Sequence, residues 1–497
     1  MTAGFFNSDD VFFVLHFIKK CATISIHGFL MYKGKIMNNK VNLSGLYKKT
    51  LFIAIPVMIQ NLITNFVALI DNIMVGQVGT EQMSGVAIVN QIIFVYNITI
   101  FGAVSGAGIF CAQFFGKGDN NGVRNTFRFK MLSVFALTFI GALLFLTLGD
   151  NLISLYLHDA DKGIDLVQTY NYAKDYLLIM LVGLVPFSVE QAYSGTLREG
   201  GIAVPPMAAG IVAVVTNTVL NYLLIFGIGI FPEMGVRGAA IATVISRFVQ
   251  VVIVVVWTHL NSKRLGFVKG LYRSARVPVE LAGRMIKKGL IPLMANECLW
   301  SAGVAALTQC YSMRGIDVVA GLNISNTVVN LFNVMYIAFG SGVSVVIGQL
   351  LGANDLVAAK KAAPRLIVFS GIMCVVVGGI MAVLSGVFPK IYNTTNDVRT
   401  LATSFILISA LLMPIQAMLH STYFSLRSGG KTLITFIFDS GFSWCISVPL
   451  AYCLVHFTAM PVIYVYLCCQ LIEAIKCIIG FVLIKKGVWL SNIVADS

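Results

Sequence analysis

The chain has 497 residues, of which 58% are hydrophobic and 11% are charged, and its mean hydropathy is +0.86. A soluble domain carries about 25% charged residues, so this composition excludes a soluble enzyme or binding module. The formal net charge of +14 does not indicate a nucleic-acid partner, because Lys and Arg accumulate on one side of a membrane protein, next to anionic lipid.

Twelve apolar segments follow one another along the chain, and each is long enough to cross a bilayer, which takes about 20 residues. In the first half, the predicted helices cover residues 50–76, 83–115, 123–149, 168–198, 204–230 and 236–260. In the second half, they cover residues 286–313, 318–350, 358–386, 398–427, 432–456 and 460–484. The sequence therefore predicts an all-α polytopic membrane protein.

The first 36 residues fit this pattern poorly. The apolar stretch 11–18 is too short to span a bilayer, and Asp9 and Asp10 precede it where a signal peptide carries positive charge. We expect residues 1–36 to be an upstream extension from a misplaced start codon, with Met37 as the true start. The alternative is an interfacial helix.

The second half of the chain repeats the first. At a constant shift of 236 residues the matching pairs include Pro56 and Pro292, Gly85 and Gly321, Asn90 and Asn326, Gly106 and Gly342, Gln113 and Gln349, Gly116 and Gly352, and Asp119 and Asp355. A duplicated multi-helix unit is typical of secondary transporters, in which the substrate path lies between the halves. We expect an N-lobe at residues 50–260 and a C-lobe at residues 286–486 around a central cavity, joined by an inter-lobe loop at residues 261–285.

The distribution of Lys and Arg predicts the orientation. With the amino terminus inside the cell, 27 of the 35 Lys and Arg lie in inner segments and six lie in outer loops. Because positive charge favours the cytoplasmic side, we expect residues 1–49, the inter-lobe loop and a tail at residues 487–497 to be cytoplasmic. Six helices in each copy return the chain to the same side, so the copies are parallel repeats.

Several short motifs occur in a fixed order along residues 45–490. They are Asp71-Asn72-Ile73-Met74-Val75-Gly76, the Gln113-Phe114-Phe115-Gly116 end of the second helix, Leu197-Arg198-Glu199-Gly200-Gly201, Leu426-Arg427-Ser428-Gly429-Gly430, Asn217-x-x-x-Asn221, and Gly235-Val236-Arg237-Gly238-Ala239-Ala240. Together they resemble the MATE (multidrug and toxic compound extrusion) transporters. The resemblance implies two six-helix lobes, a V-shaped cavity, and export of amphipathic, often cationic compounds driven by inward Na⁺ or H⁺.

Asp71 is the first candidate for a functional residue, since a charge within hydrocarbon is expensive. It lies five residues before Gly76, or about 7 Å below the outer end of its helix. A carboxylate there can bind Na⁺ or carry a proton; the alternative is an interfacial Asp that reaches water. The resemblance implies a cation or proton site here, with amides at Asn217 and Asn221, and Thr243 is a candidate fourth oxygen. Some members of the family carry Asp at the position of Asn221, so this chain has one carboxylate fewer than they do.

A second group of polar residues lies in the C-lobe, and comprises Glu297, His420, Asp439 and the i, i+3 pair of Glu473 and Lys476. The resemblance implies that an acid on the seventh helix is a cation ligand or the counter-charge of the drug. Glu297 and Asp439 are therefore candidates for contact with substrate or cation. The alternative is a set of structural ion pairs between helices, in which Lys476 or His420 is the partner of Glu297.

Two further pairs complete the polar set. Asn90 and Asn326 occupy matching positions of the repeats, where they either line the cavity or form helix–helix hydrogen bonds. In the N-lobe, Glu190 and Arg247 are expected to form a buried charge pair rather than to contact substrate.

Three classes of function compete for this sequence. An enzyme is disfavoured because no convergent nucleophile, base or metal ligands occur, and the lack of a Walker A motif excludes ATP as the direct energy source. We expect a monomeric, Na⁺- or H⁺-coupled exporter of amphipathic small molecules in the inner (cytoplasmic) membrane, without a cofactor. A flippase for lipid-linked sugar intermediates is the alternative, although it would need a more cationic cavity.

Overall fold

The computed structural model describes residues 43–157, 165–392 and 394–495, which are helical throughout apart from turns and short connections. The first six spans are α1 (Leu43–Gly76), α2 (Thr80–Lys117), α3 (Asn120–Ser154), α4 (Leu166–Val182 and Leu184–Glu199), α5 (Val204–Phe226) and α6 (Gly235–Leu260). The other six are α7 (Val279–Ser312), α8 (Ile316–Gly352), α9 (Leu356–Ser385), α10 (Asn396–Ser428), α11 (Thr432–Phe457) and α12 (Val462–Lys486). Eleven of them are long and apolar enough to cross a membrane singly.

Helix α4 is the twelfth span, and its two segments meet at Gly183 with a bend of 46°. Pro186 lies in the first turn of the second segment, where its missing N–H removes a hydrogen bond to the preceding turn. The prediction of twelve spans in two six-helix lobes is confirmed.

Several helix ends differ from the predicted ones. Helix α1 begins at Leu43 and α7 at Val279, both inside segments predicted to be cytoplasmic loops. Hydropathy detects only the part of a helix that lies in hydrocarbon, whereas the backbone hydrogen bonds continue into the polar layer. The proposed extension at residues 1–36 lies outside the described part of the chain.

Three π-helical turns widen α7 and α11, at Ile286–Leu290, Ile437–Gly441 and Ser443–Ser447. The first and third precede Pro292 and Pro449, whose rings clash with the carbonyl four residues earlier. A wider turn relieves this clash, and such turns often occur at functional sites. The middle one carries Asp439.

The two lobes meet along α2 and α8, and this contact explains why both copies of the repeat carry Gln and Gly at matching positions. A Cβ at Gly116 would clash with the carbonyl of Gln349, and one at Gly352 would clash with the carbonyl of Gln113. Both contacts lie on the face of the protein that holds the carboxy-terminal ends of the even-numbered helices (α2, α4, α6, α8, α10 and α12). This face is called the basic face below. The lobes are therefore closely packed on the basic face.

Asp119 and Asp355 explain another part of the repeat. Asp119 accepts hydrogen bonds from the backbone N–H groups of Asn121 and Gly122, and Asp355 accepts one from Ala358. Each carboxylate thus caps the amino-terminal end of the third helix of its lobe.

Candidate functional site

Asp71 and the three residues predicted around it, Asn217, Asn221 and Thr243, lie together in the N-lobe and are called the N-lobe site. Asn221 Nδ2 donates to Asp71 Oδ1 at 2.7 Å, and the side-chain amide of Asn217 lies 3.2 Å from Thr243 Oγ1. Asn217 and Asn221 are four residues apart on α5, so both face α1. Both amides are buried, whereas Asp71 is half-buried at the edge of the group.

The amide of Asn217 also bonds to Asp71. Its Nδ2 donates to Asp71 Oδ1 and Oδ2 at 3.1 and 2.9 Å, and its Oδ1 accepts from the hydroxyl of Thr243 at 3.2 Å. With Asn221, this gives the carboxylate of Asp71 two amide donors, which stabilise its ionised form.

The oxygens of the N-lobe site suit a small hard cation. Asn221 is 1% exposed, and its Oδ1 accepts no hydrogen bond. A buried acceptor without a donor is costly unless something else satisfies it. Asp71 supplies the negative charge, and carboxylate, amide and hydroxyl oxygens are the ligand types that hard cations prefer. Among the described residues no group of three or more His, Cys, Asp or Glu is arranged to hold a metal ion.

Glu297 lies in a polar network that links α7, α10, α11 and α12, called the C-lobe network. Tyr423 donates its hydroxyl hydrogen to Glu297 Oε1 at 3.1 Å, and Arg427 Nη1 lies 3.8 Å from the same oxygen. The alternative interpretation of Glu297 had Lys476 or His420 as its partner, but Tyr423 and Arg427 on α10 are its partners in the structure. His420 Nδ1 donates to the backbone carbonyl of Gln416 at 3.0 Å, and the imidazole packs on the ring of Tyr336.

Asp439 and Lys476 form the other half of the C-lobe network. Lys476 Nζ lies 2.8 Å from Asp439 Oδ1 and 3.4 Å from Glu473 Oε2, which confirms the predicted pairing of Glu473 with Lys476. Asn296 joins the two halves, since its Nδ2 lies 3.1 Å from Asp439 Oδ2 and 3.0 Å from the hydroxyl of Tyr423.

The C-lobe network borders a cavity of ≈ 570 Å³ that also contacts α2 of the N-lobe. Its lining includes Glu297, Asn326, Asn333, His420, Tyr423, Asp439, Glu473 and Lys476, together with Phe94 and Phe101 of α2. The network contains three carboxylates and two cationic side chains, so it formally carries one negative charge in excess. Such a cavity offers aromatic surface and a net negative charge to an amphipathic cation.

Two other predictions have different outcomes in the structure. Asn326 lines this cavity, whereas Asn90 is exposed and lies outside its lining. Glu190 and Arg247 do not pair with each other. Glu190 accepts from Ser194 and Gln191, and Arg247 donates to the carbonyl of Gly183 and lies over the ring of Phe187. The expected charge pair is wrong because each group finds a partner on or near α4.

Three members of the C-lobe network, Asn296, Tyr423 and Arg427, and one buried ion pair were not predicted from the sequence. Asn296 is the residue before Glu297. Tyr423 and Arg427 precede the Gly-Gly closure of α10, and Arg427 was interpreted only as part of that helix-ending motif. Their partners are about 130 residues away along the chain, so the spacing of residues in the sequence does not indicate these contacts. The Nζ of Lys130 is fully buried against Glu199, although Lys130 was counted with the inner basic residues.

Comparison with known proteins identifies the family to which this chain belongs. A family model described as MatE matches residues 56–223 and 292–453, one stretch in each lobe. The chain belongs to the MATE family. The members of this family are transporters, not enzymes, so the resemblance inferred from the motifs is confirmed.

Individual relatives match most of this MATE protein. The probable multidrug resistance protein NorM of Thermotoga maritima is 28% identical over 420 residues, covering 82% of this chain and 86% of that protein. The multidrug resistance protein NorM of Photobacterium profundum is 22% identical over 415 residues, covering 82% and 87%. A solved structure described as the outward-facing conformation of a multidrug resistance MATE family transporter of the MOP superfamily has a TM-score of 0.80 at 18% identity, covering 90% of this chain and 98% of that one.

Proposed function

We propose that this MATE protein is a secondary antiporter that exports amphipathic, often cationic compounds in exchange for Na⁺ or H⁺. The observation that carries this proposal is the pairing of an ionisable site at Asp71 in one lobe with an acidic, aromatic cavity in the other. An ionisable group within a membrane protein marks an ion or substrate path by default. The names of the NorM relatives, which describe multidrug resistance proteins, agree with it.

The orientation is part of the same proposal. Under the positive-inside rule we take the basic face as the cytoplasmic one, so that the start of α1 and the end of α12 lie on the cytoplasmic side of the inner membrane. Since the lobes are packed together on that face at Gly116 and Gly352, the cavity is sealed from the cytoplasm. Alternating access between this state and one open to the cytoplasm would carry substrate outward.

The N-lobe site is the coupling site in this scheme. The amides of Asn217 and Asn221 both donate to Asp71 and stabilise its ionised form. A cation or a proton at Asp71 neutralises the carboxylate and weakens these hydrogen bonds, which is how ion binding would be felt by α5. Asn217, Asn221 and Thr243 are positioning residues that orient the carboxylate.

The C-lobe cavity is the substrate site. Glu297 and Asp439 supply the counter-charge, Asn326 supplies a polar contact, and Phe94 and Phe101 supply apolar surface. A substrate must be bound tightly enough to enter and weakly enough to leave. The network has three carboxylates and two cationic side chains, and so an excess of one negative charge. This charge is enough to attract a monocation and small enough to let it leave.

The formal charge of the C-lobe network also argues against the flippase. A lipid-linked sugar carries pyrophosphate, which is recognised by clusters of Arg and Lys. The cavity holds Lys476 at its wall, but Lys476 is already paired with Asp439 and Glu473.

The proposal is tested by dye uptake into inverted membrane vesicles, in which the cytoplasmic face is outside and export appears as uptake. A panel of cationic and neutral dyes is added outside, and either a Na⁺ gradient or a pH gradient is imposed alone. Dye movement driven by one of the two gradients supports the proposal and identifies the ion. Dye movement that neither gradient alters would contradict it.

A further inference from the structure

The residues after α12 form a segment that is packed into the protein, here called the tail (residues 487–495). Gly487 ends α12 with a φ of 75°, in the left-handed region that glycine adopts easily. The chain then turns back under the C-lobe. Trp489 is fully buried, and its Nε1 donates to the carbonyl of Ile484 at 3.1 Å.

The first part of the tail is held by the C-lobe. The carbonyl of Trp489 lies so close to Gly429 that a Cβ at that glycine would clash with it. A Cβ at Gly430, where φ is 73°, would meet the side chain of Ile493. The Gly-Gly closure of α10 therefore provides the space into which the tail fits.

The second part of the tail is held by the N-lobe. Gln113 Oε1 accepts from the backbone N–H of Ile493 at 2.9 Å, and Gln113 Nε2 donates to the carbonyl of Ser491 at 3.2 Å. Lys117 Nζ donates to the carbonyl of Val494 at 2.8 Å. Val494 is fully buried in a hydrophobic cluster of the N-lobe that includes Phe114 and Phe267.

The tail is thus covalently part of the C-lobe and non-covalently bound to the N-lobe, across the contact that closes the basic face. Gln113 takes part both in binding the tail and in the contact between the lobes. Its Nε2 also donates to the carbonyl of Ser428 at 2.8 Å, and its own carbonyl packs against Gly352. Separation of the lobes on the basic face would break the bonds of Gln113 and Lys117 to the tail.

We propose that the tail is a strap that locks the two lobes together on the basic face and must detach from α2 before the cavity opens there. The strap rests on the proposed function, since only alternating access requires this face to open. It breaks the symmetry of the duplication: Gln349, the counterpart of Gln113, has Lys49 and the carbonyl of Glu199 as its partners, with no tail among its hydrogen bonds.

The test compares two variants of the full chain that make the same chemical change at different places. Val494→Lys inserts a cation into the buried N-lobe cluster, next to Lys117, and is expected to detach the tail. Val488→Lys makes the same change at a residue that is 38% exposed, and is the control. Hydrogen–deuterium exchange is measured in detergent at residues 487–495 and at the lobe contact, residues 113–117 and 349–352.

A strap predicts that Val494→Lys speeds exchange about tenfold or more in the tail and at the lobe contact, as expected when a buried hydrogen bond is broken, and that Val488→Lys changes neither. A chain truncated after Lys486 should show the same increase at the lobe contact. Unchanged protection of the lobe contact in both the truncated chain and Val494→Lys would overturn the strap. The exchange measurement does not depend on transport, so it is separate from the vesicle assay, whose failure would overturn only the proposed function.

Discussion

Gln113 and Gln349 make the same hydrogen bond to opposite lobes. Gln113 Nε2 donates to the carbonyl of Ser428 at 2.8 Å, and Gln349 Nε2 donates to the carbonyl of Glu199 at 2.7 Å. Ser428 and Glu199 are themselves equivalent residues, each placed before the Gly-Gly closure of the fourth helix of its lobe. The two lobes therefore contact each other through a pair of equivalent hydrogen bonds. A symmetric dimer interface likewise uses the same surface of each subunit.

The first prediction concerns the glycines at this interface. Gly116→Ala places a Cβ against the carbonyl of Gln349, which belongs to backbone and cannot rotate away. We expect the variant to hold the basic face apart, with a lower melting temperature in detergent and less efflux. Gly379→Ala on α9 is the matched control, because no atom lies within 4 Å of the added Cβ. Equal melting temperatures for both variants would mean that close approach at Gly116 is not required.

The second prediction concerns Lys476, which is 3% exposed. Lys476→Gln leaves Asp439 without its cation, and loss of one partner of a buried ion pair costs about 3–5 kcal/mol. The melting temperature should fall clearly, whereas Lys486→Gln at the exposed end of α12 should have little effect. The double variant Lys476→Gln with Asp439→Asn should recover part of the loss, since Asp439 then no longer carries an unpaired charge and only Glu473 lacks its cation. A double variant as unstable as the sum of the two single ones would indicate that the pair does not interact.

The third prediction concerns Glu297 and the charge of the substrate. Glu297→Gln keeps an acceptor for the hydroxyl of Tyr423 but removes the negative charge that Arg427 faces at 3.8 Å. Export of cationic dyes should fall about tenfold or more, the size expected for a charge-assisted contact, while neutral dyes are exported normally. Glu280→Gln in the exposed first turn of α7 is the control. Uniform loss of all dyes together with a lower melting temperature would assign Glu297 to structure alone.

The sequence predicted some parts of this protein well for identifiable reasons. Asp71, Asn217 and Asn221 were brought together correctly because helical spacing places the two Asn on one face and the family motif places that face towards α1. The C-lobe network was predicted only in part. Glu473 and Lys476 are neighbours on one helix, but Asn296 and Asp439 are 143 residues apart, and Asp439 lies in a π-helical turn of α11 that the apolar pattern does not indicate.

The tail shows why the remainder could not be predicted. Residues 487–495 are too few for a periodic pattern and follow a Lys-Lys-Gly helix end, which indicates an exposed terminus. Their burial depends on the space left by Gly429 and Gly430, and the sequence gives no sign that these glycines receive this segment. The predicted role of Asp71 and the proposed extension at residues 1–36 stay predictions.

The central claim is that Asp71 couples ion entry to export, and Asp71→Asn tests it most directly. The substitution keeps the shape of the side chain and its contact with Asn221, but removes the charge that a cation or proton would neutralise. Efflux driven by a Na⁺ or pH gradient is measured as dye uptake into inverted vesicles, with the exposed Asp317→Asn as the control. The account predicts that gradient-driven efflux falls to background in Asp71→Asn, with normal protein levels and melting temperature, and is unchanged in Asp317→Asn. Efflux at the wild-type rate in Asp71→Asn would contradict it.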